Sequence, residues 1–292
     1  IETAINSVIV QTYKNFELII WDNQSTDDSA MIIKKFKDSR VRYFYSDTHT
    51  YLYKARNNAV SKSNGDYITF LDCDDWWDPT KLEKQINKFY ENDYAIVYGN
   101  QRLIFDKKTR FGKNFDKIVC KILSRNHIPN NLNKREGNIL NESLEDYKVG
   151  IATVMIKRKY FDGFDDRYHI IGDFEFVIRT ATKYNFGYVD DIIASYRVHG
   201  SNESFKNRKL QIKELEQWYD EMNSNLIVNT LESFKNLKYK IMYLKAMDCI
   251  GDKNYNFPLK CIMNFPIQMW KLRMRLLVIL LSPSIIIKIF RT

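Results

Sequence analysis

Residues 64–79 read NGDYITFLDCDDWWDP, a short apolar run that is followed at once by a cluster of acidic residues. The run over residues 67–71 is rich in β-branched and aromatic side chains, which is typical of a buried strand. Asp72 and Asp74 come directly after it. In an open α/β sheet, ligands bind in a crevice at the carboxyl ends of the strands. We therefore predict that Asp72 and Asp74 line a binding site.

The Asp-x-Asp spacing indicates what such a site would hold. A hard divalent cation takes oxygen ligands and leaves coordination positions for substrate phosphates, so Asp72 and Asp74 predict a metal-diphosphate site. The alternative is that the acids of this stretch form turns and cap a helix. We favour that alternative for Asp78, because Asp78 and Pro79 make a good N-cap and first residue for the helix that follows.

The sequence on either side of this stretch alternates between strand and helix patterns. Such alternation predicts a mostly parallel sheet with right-handed crossovers and flanking helices. Residues 101–105 are an exception, because we expect them to pair antiparallel. Residues 106–148 lack a regular pattern, and a long irregular insert in a compact domain is usually functional or mobile. Strands are predicted at residues 17–21, 41–45, 67–71, 94–98, 101–105, 152–156 and 192–198, and helices at the start of the chain, after Thr26, over residues 51–63, after Pro79 and after Asp173.

Composition and charge limit the kinds of partner. The chain has 292 residues, a 45% hydrophobic content and a formal net charge of +9. The positive charge is concentrated in residues 206–292, which hold 15 Lys or Arg and 7 Asp or Glu. Because no nucleic-acid-binding motif accompanies this charge, we expect no nucleic acid partner and favour a membrane surface. The four cysteines form no Cys-x-x-Cys pair, which indicates a protein of the reducing cytoplasm.

The helical pattern of residues 206–292 ends in a different kind of segment at residues 270–292. There, WKLRMR is followed by LLVILLSPSIII. This apolar run is too short to span a bilayer, which needs about 20 residues. Basic flanks, a tryptophan and a short apolar run are typical of an interfacial anchor. We predict that residues 276–287 lie in a membrane surface, with burial on the domain as the alternative.

Five segments of the chain, taken in order, form a recognisable series. They are SVIVQTYKNFELIIWDNQSTDDS (residues 7–29), ARNNAV (55–60), NGDYITFLDCDDWWDP (64–79), IIGDFEFVIR (170–179) and YRVHGSN (196–202). Together they resemble the signature segments of glycosyltransferase family 2, whose fold is called GT-A, and five segments in the same order are more specific than any one of them. The resemblance covers residues 1–205, so we expect a GT-A glycosyltransferase domain there and a helical C-terminal extension over residues 206–292.

The resemblance implies a nucleotide-sugar-binding role for four residues. Asp22 matches an acid that contacts the nucleoside, and Arg56 matches an arginine near the nucleotide. Asp72 matches an acid that faces the ribose or the base, and His199 matches a position that approaches the metal or diphosphate in some members. The residues alone leave other roles open: an Asx turn for Asp22, a surface helix position for Arg56 and a structural loop for His199.

The resemblance also implies a metal ligand and a catalytic base. Asp74 matches the ligand that holds the diphosphate through Mn²⁺ or Mg²⁺, and Asp173 matches the acid taken to be the base. Asp173 follows Gly172 at the start of a helix, where we expect the helix N-terminus to favour its ionised form. A plain helix cap is the alternative role for Asp173, and Glu175 is the alternative base.

Two features depart from the family pattern. The family normally begins with a strand that ends in a Thr-Tyr-Asn-like segment, so the chain resembles an N-terminally truncated copy, and its activity is open to question. The usual Asp-Asp-Gly-Ser is replaced by residues 22–25, DNQS. We expect this change to alter only the turn, because asparagine tolerates the left-handed backbone conformation.

The resemblance predicts a metal-dependent, inverting glycosyltransferase of the hexosyltransferase type. It would move a sugar from a UDP donor to a glycan or lipid-linked acceptor in bacterial surface polysaccharide synthesis. We expect it in the cytoplasm, peripherally bound to the inner face of the cell membrane. Two alternatives stay open: a nucleotidyltransferase of related fold that makes the activated sugar, and a non-catalytic nucleotide-sugar-binding protein.

Overall fold

A computed structural model describes residues 1–105 and 136–281 of the chain. Most of the irregular insert predicted at residues 106–148, and the last part of the predicted anchor, lie outside these residues. The chain divides into two compact units, of which the first includes residues 1–105 and 147–198 and the second includes residues 144–146 and 199–281. The domain boundary expected after residue 205 stays a prediction.

Two sheets form the centre of the first unit. Their strands are β1 (Leu18–Asp22), β2 (Val41–Tyr45), β3 (Tyr67–Thr69), β4 (Trp76–Trp77), β5 (Ile96–Phe105), β6 (Met155–Lys157) and β7 (Phe186–Val198). β1 and β2 make a two-stranded sheet, and the other strands make a five-stranded sheet in the order β3-β6-β5-β7-β4.

Parallel pairing accounts for most of the paired residues. β1 and β2 pair over five residues and β5 and β7 over ten, both in parallel. The antiparallel pairings of β3 with β6, β5 with β6 and β4 with β7 involve two or three residues each. The predicted α/β fold, with a mostly parallel sheet and flanking helices, is therefore confirmed.

Strand β5 corrects one prediction. We expected residues 94–98 and 101–105 to form separate strands, the second of them antiparallel, but β5 is one strand that runs parallel to β7. Its register shifts on either side of Asn100. At Gly99, an added Cβ would lie 2.9 Å from the carbonyl oxygen of Val189. Glycine lets the two strands approach closely here, so the strand continues where the sequence suggested an end.

Helices occupy much of the remaining described chain. Short 3₁₀ helices lie at Ile151–Thr153, Arg158–Tyr160 and Ile267–Met269. The α-helices are α1 (Glu2–Ile9), α2 (Ser29–Lys34), α3 (Leu52–Ser61), α4 (Lys81–Phe89), α5 (Leu140–Glu145), α6 (Gly172–Ala181), α7 (Glu203–Lys206), α8 (Arg208–Met222), α9 (Glu232–Gly251), α10 (Asn256–Asn264) and α11 (Trp270–Leu281).

Helix α4 shows how the core of the first unit is built. Leu82, Ile86 and Phe89 recur at helical spacing, and all three are buried in a cluster with Trp77 of β4. Such an apolar face is what a helix needs in order to pack on a sheet. The cap differs from the prediction, because the helix begins at Lys81 and the Asp78 carboxylate instead bonds the backbone N–H and hydroxyl of Thr80.

Lys81, at the start of α4, is fully buried. Its Nζ donates to Thr69 Oγ1 at 2.9 Å and to Gln85 Oε1 at 2.6 Å. It also lies 4.2 Å from the centroid of the Trp77 ring. Burial lowers the pKa of the Lys81 amine well below its ordinary value, since a low-dielectric interior disfavours the charged form.

The second unit is helical, and α9, α10 and α11 pack around an apolar cluster. This cluster contains Leu276 and Ile279, which we predicted to lie in a membrane surface. That part of the prediction was wrong, because these two side chains face the neighbouring helices, whereas others of the same apolar run are exposed. Within the described ranges, no helix is long and apolar enough to cross a membrane.

Candidate active site

The turn that follows β3 carries the acidic cluster, and one of its members anchors it. Asp75 is buried, and its Oδ1 accepts a 2.8 Å hydrogen bond from the backbone N–H of Arg197 in β7. Arg197 Nε also donates to the backbone carbonyl of Asp74 at 3.1 Å. Burial, reinforced by Asp72 and Asp74, raises the pKa of Asp75 to about 7. Asp75 therefore attaches the turn to β7, while Asp72 and Asp74 are only half-buried.

Arg56 and Asp72 form an ion pair. Arg56 Nη2 lies 2.5 Å from Asp72 Oδ1, and the Arg56 side chain lies on the buried face of α3. Its guanidinium lies 5.4 Å from the centroid of the Tyr53 ring. Burial alone would lower the pKa of Arg56, but the Asp72 carboxylate outweighs this and raises it. Arg56 is thus a buried cation beside the acidic turn, which excludes the surface position left open by the sequence.

Asp173 lies in the first turn of α6, within reach of Tyr53. The Tyr53 hydroxyl is 3.0 Å from Asp173 Oδ1 and 3.0 Å from the backbone carbonyl of Ile170. The backbone N–H of Phe174 donates to the same carboxylate oxygen at 2.8 Å. Burial raises the pKa of Asp173, and the nearby Arg56 cation opposes this effect only in part. The helix N-terminus that we expected to dominate is therefore outweighed by burial.

The Tyr53 ring is fixed by close packing. Tyr53 is 3% exposed, and a Cβ added at Gly172 would lie 2.6–2.8 Å from three of its ring atoms. Since real Cβ atoms do not come so close, only glycine fits at position 172 while the ring stays in place. The ring thus packs against the backbone of the residue that precedes Asp173.

The same face of α3 binds the segment that leads to Asp173. The Asn57 amide donates to the backbone carbonyl of Phe164 at 2.8 Å and accepts from its N–H at 2.9 Å. Just before the helix, the Tyr51 ring stacks on His169 with centroids 3.5 Å apart. α3 therefore positions both Arg56 and the base candidate, through contacts at successive turns of one helix.

Asp22 belongs to a second set of contacts, at the end of β1. It accepts hydrogen bonds from the Tyr43 hydroxyl at 2.6 Å and from the Ser25 N–H at 2.7 Å. Although burial would raise the pKa of Asp22, these hydrogen bonds lower it, so the carboxylate is stabilised as an anion. The turn also differs from expectation in one detail, because the residue with positive φ is Gln24 at 69°.

His199 lies in the second unit, in a local turn. Its Nδ1 is 2.5 Å from the Ser201 hydroxyl, and its backbone N–H donates to the Asn202 side chain at 2.6 Å. Both of these contacts lie within the turn itself. In the first unit, direct contacts bring Arg56, Asp72 and Asp173 together through Tyr53.

The carboxylate oxygens near the acidic turn suit a hard divalent cation that is held partly by the protein and partly by the phosphates of a bound substrate. Among the described residues, no group of three or more His, Cys, Asp or Glu is placed to hold a metal. Asp74 and Asp72 offer carboxylate oxygens, which are the ligands that Mg²⁺ and Mn²⁺ prefer, and Mg²⁺ is commonly held by one or two carboxylates plus substrate phosphates. The residues present thus fit a metal-diphosphate complex better than a resident metal.

Sequence reasoning missed Tyr53 and Asn57. Tyr53 is an aromatic residue on the buried face of an amphipathic helix, a pattern that ordinarily indicates core packing. The one available signal was its position three residues before Arg56, which places the two side chains on neighbouring turns. Asn57, which follows Arg56, carried no signal beyond being a polar residue in a helix.

The architecture of the first unit is of the GT-A type, as two solved structures show. The structure superposes on Staphylococcus aureus TarS 1-349 in complex with UDP-GlcNAc with a TM-score of 0.60 at 12% identity, covering 94% of this chain and 74% of that one. It also superposes on the mannosyltransferase PcManGT from Pyrobaculum calidifontis, in complex with GDP-Man and Mn²⁺, with a TM-score of 0.60 at 12% identity, covering 100% and 80%.

Residues 1–163 match the Glycosyl transferase family 2 profile. The chain therefore belongs to that family, and both the family and the fold predicted from the sequence are confirmed. A similar relative is the UDP-Glc:alpha-D-GlcNAc-diphosphoundecaprenol beta-1,3-glucosyltransferase WfgD of Escherichia coli. It is 28% identical over 262 residues, which cover 89% of this chain and 91% of WfgD.

Proposed function

We propose that this glycosyltransferase moves a hexose from a UDP donor to a glycan or lipid-linked acceptor, with inversion at the anomeric carbon, in bacterial surface polysaccharide synthesis. The observation that carries the proposal is the contact series Asp72, Arg56, Tyr53 and Asp173. It joins a carboxylate of the acidic turn to a second carboxylate whose raised pKa suits a general base. The name of WfgD gives UDP-glucose as its donor and a diphosphoundecaprenol-linked sugar as its acceptor. Similarity to WfgD therefore supports the choice of a UDP donor and a lipid-linked acceptor for this chain.

The donor side comprises the acidic turn, Arg56 and the end of β1. Asp72, fixed by Arg56, would contact the ribose or base, and Asp22 would contact the nucleoside from the end of β1. Asp74 would hold the divalent cation together with the diphosphate. When bound, Mn²⁺ or Mg²⁺ offsets the charge that develops on the departing diphosphate. The diphosphate role assigned to His199 stays a prediction.

The acceptor side is Asp173. Its carboxylate takes the proton of the acceptor hydroxyl while that oxygen forms a bond to the anomeric carbon and the bond from this carbon to UDP breaks. Because the new bond forms on the face opposite the leaving group, a single displacement inverts the anomeric centre. Tyr53 acts as a positioning residue, since its hydroxyl orients the carboxylate and its ring packs on Gly172.

The experiment that tests the proposal needs no acceptor. The full chain is incubated with a panel of nucleotide sugars, with Mn²⁺, Mg²⁺ or a chelator, and release of the nucleoside diphosphate is measured. We expect slow, metal-dependent hydrolysis of one UDP-sugar, with calorimetric binding of UDP that strengthens when Mn²⁺ is present. Binding without hydrolysis of any donor would instead favour a non-catalytic binding protein, and release of inorganic diphosphate from UTP and a sugar phosphate would favour a nucleotidyltransferase.

A further inference from the structure

One face of the last described helix, α11, is apolar and exposed to solvent. Its large side chains are between 49% and 82% exposed and recur every three or four residues. Positions with this spacing lie on one side of a helix. Leu276 and Ile279, in contrast, lie on the other side and are buried against α9 and α10. The exposed set, called here the apolar stripe, consists of Trp270, Met274, Val278 and Leu281.

The segment that carries the apolar stripe has charge of a single sign. Residues 253–281 contain five Lys or Arg and no Asp or Glu. Three of these, Lys271, Arg273 and Arg275, lie on α11 itself and are exposed. Helical spacing places Lys271 and Arg273 on opposite flanks of the stripe. The face is therefore an apolar strip bordered by positive charge.

This combination favours one occupant, the surface of a bilayer that contains anionic lipid. Contiguous exposed apolar side chains mark interaction sites, and the basic residues on both flanks favour a negatively charged partner. A helix lying in the interface plane buries its apolar face at the boundary between headgroups and acyl chains, while its basic flanks meet lipid phosphates. A tryptophan is also suited to the headgroup level.

We infer that the apolar stripe of α11 lies on an anionic membrane, with the helix axis parallel to the bilayer plane. The inference deepens the proposed function and rests on it in one respect, since a lipid-linked acceptor would be confined to the same surface. It replaces the sequence prediction in detail. The contact is made by Trp270, Met274, Val278 and Leu281, whereas Leu276 and Ile279 hold the helix to its own unit.

Vesicle sedimentation tests the inference directly. The full chain is mixed with vesicles of phosphatidylcholine alone or of phosphatidylcholine with phosphatidylglycerol. The double variant Trp270→Glu/Val278→Glu changes the stripe, and Leu226→Glu is the matched control, because Leu226 is 82% exposed in the same unit but lies outside α11. We expect the protein to sediment with the anionic vesicles. The double variant should bind at least about tenfold more weakly, and the control should bind as the wild type does.

Variants that remove positive charge beside the apolar stripe give a second test of the inference. Lys271→Gln and Arg273→Gln should each weaken binding about fivefold on anionic vesicles only. The inference fails if the wild type does not sediment with anionic vesicles, or if Leu226→Glu loses as much binding as the double variant. It also fails if the double variant binds vesicles as well as the wild type does, while size-exclusion chromatography shows that the wild type is a dimer and the double variant a monomer. A second copy of the chain would then cover the stripe.

Donor hydrolysis, measured without vesicles on the same samples, separates this inference from the proposed function. Thermal unfolding curves show whether each variant is folded, and Met274→Gln offers a milder change if the double variant is not. Retained hydrolysis with lost vesicle binding supports both ideas. Vesicle binding without hydrolysis of any nucleotide sugar would overturn the proposed reaction and leave the membrane surface standing.

Discussion

The Tyr53→Phe variant tests whether the geometry around Asp173 serves catalysis. The substitution removes the hydroxyl that contacts Asp173 Oδ1 at 3.0 Å and keeps the ring that packs against Gly172. The fold should therefore survive, and the nucleotide side should be untouched, because Arg56 remains paired with Asp72. We expect normal UDP affinity together with slower sugar transfer.

The size of the effect follows from the hydrogen bonds that remain. A hydrogen bond to a charged group contributes about 1.5–3 kcal/mol, and 1.4 kcal/mol corresponds to a factor of ten. The Phe174 N–H still donates to the same oxygen at 2.8 Å, so only part of the carboxylate's orientation is lost. We expect transfer to fall about tenfold, at the low end of this range. That is less than the loss of the base itself, which costs about 10²–10⁴-fold.

The pH profile distinguishes positioning from a merely structural role. The Tyr53 hydroxyl stabilises the charged form of Asp173, so its removal should raise the Asp173 pKa beyond the increase that burial already causes. The acid limb of kcat/KM should then move to higher pH. Groups that also act on this carboxylate are Arg56, Asp72 and Tyr147, and none of them is changed.

The assay is a kcat/KM measurement across pH for wild type, Tyr53→Phe and the control Tyr51→Phe. Tyr51 lies two residues earlier, is 61% exposed and stacks on His169 through its ring. Its hydroxyl should therefore matter little. The reasoning is refuted if Tyr53→Phe transfers sugar at the wild-type rate with an unshifted acid limb, or if it loses UDP binding.

Three further variants test other residues. Asp74→Asn should weaken UDP binding in the presence of Mn²⁺ as well as turnover, because it removes an anionic oxygen ligand; unchanged calorimetric binding would contradict the metal assignment. Asp173→Asn should leave UDP affinity nearly normal and lower transfer by about 10²–10⁴-fold, and near-normal transfer would shift the base role to Glu175. Lys81 should make stability rise with pH, because between its lowered folded pKa and its ordinary unfolded pKa the unfolded state binds the extra proton. Lys81→Met should flatten this slope in thermal unfolding below about pH 10, and an equally steep slope would show that another group causes it.

Much of the first unit could be predicted from local sequence patterns. The apolar side chains of residues 41–45 and 67–69 have the pattern that is typical of strands, and the structure has strands there. Strand β5 is hard to predict as one element, because Gly99 and Asn100 interrupt its apolar residues and a glycine next to an asparagine is typical of a turn. Only the facing strand β7, distant in sequence, shows that glycine there permits close approach.

The site was predicted unevenly for a similar reason. Asp72, Asp74 and Asp173 stand at strand ends and helix starts, where an acid indicates either function or capping. Tyr53 looks like any core aromatic, and its role depends on a partner 120 residues away. The effect of burial on the Asp173 pKa likewise depends on what surrounds the carboxylate in three dimensions. Sequence spacing alone carries no measure of that burial.

The fit of the Tyr53 ring against Gly172 links two distant positions in a way that matters for diversification of the enzyme. A mutation that adds even a methyl group at residue 172 would push the ring aside and would become tolerable only together with a smaller side chain at residue 53. That smaller residue would lack the hydroxyl, so the compensated pair would restore folding without restoring the orientation of Asp173. Related enzymes, or selected libraries, should therefore vary these two positions jointly. A lineage that leaves the tyrosine and glycine combination would need another donor for the base.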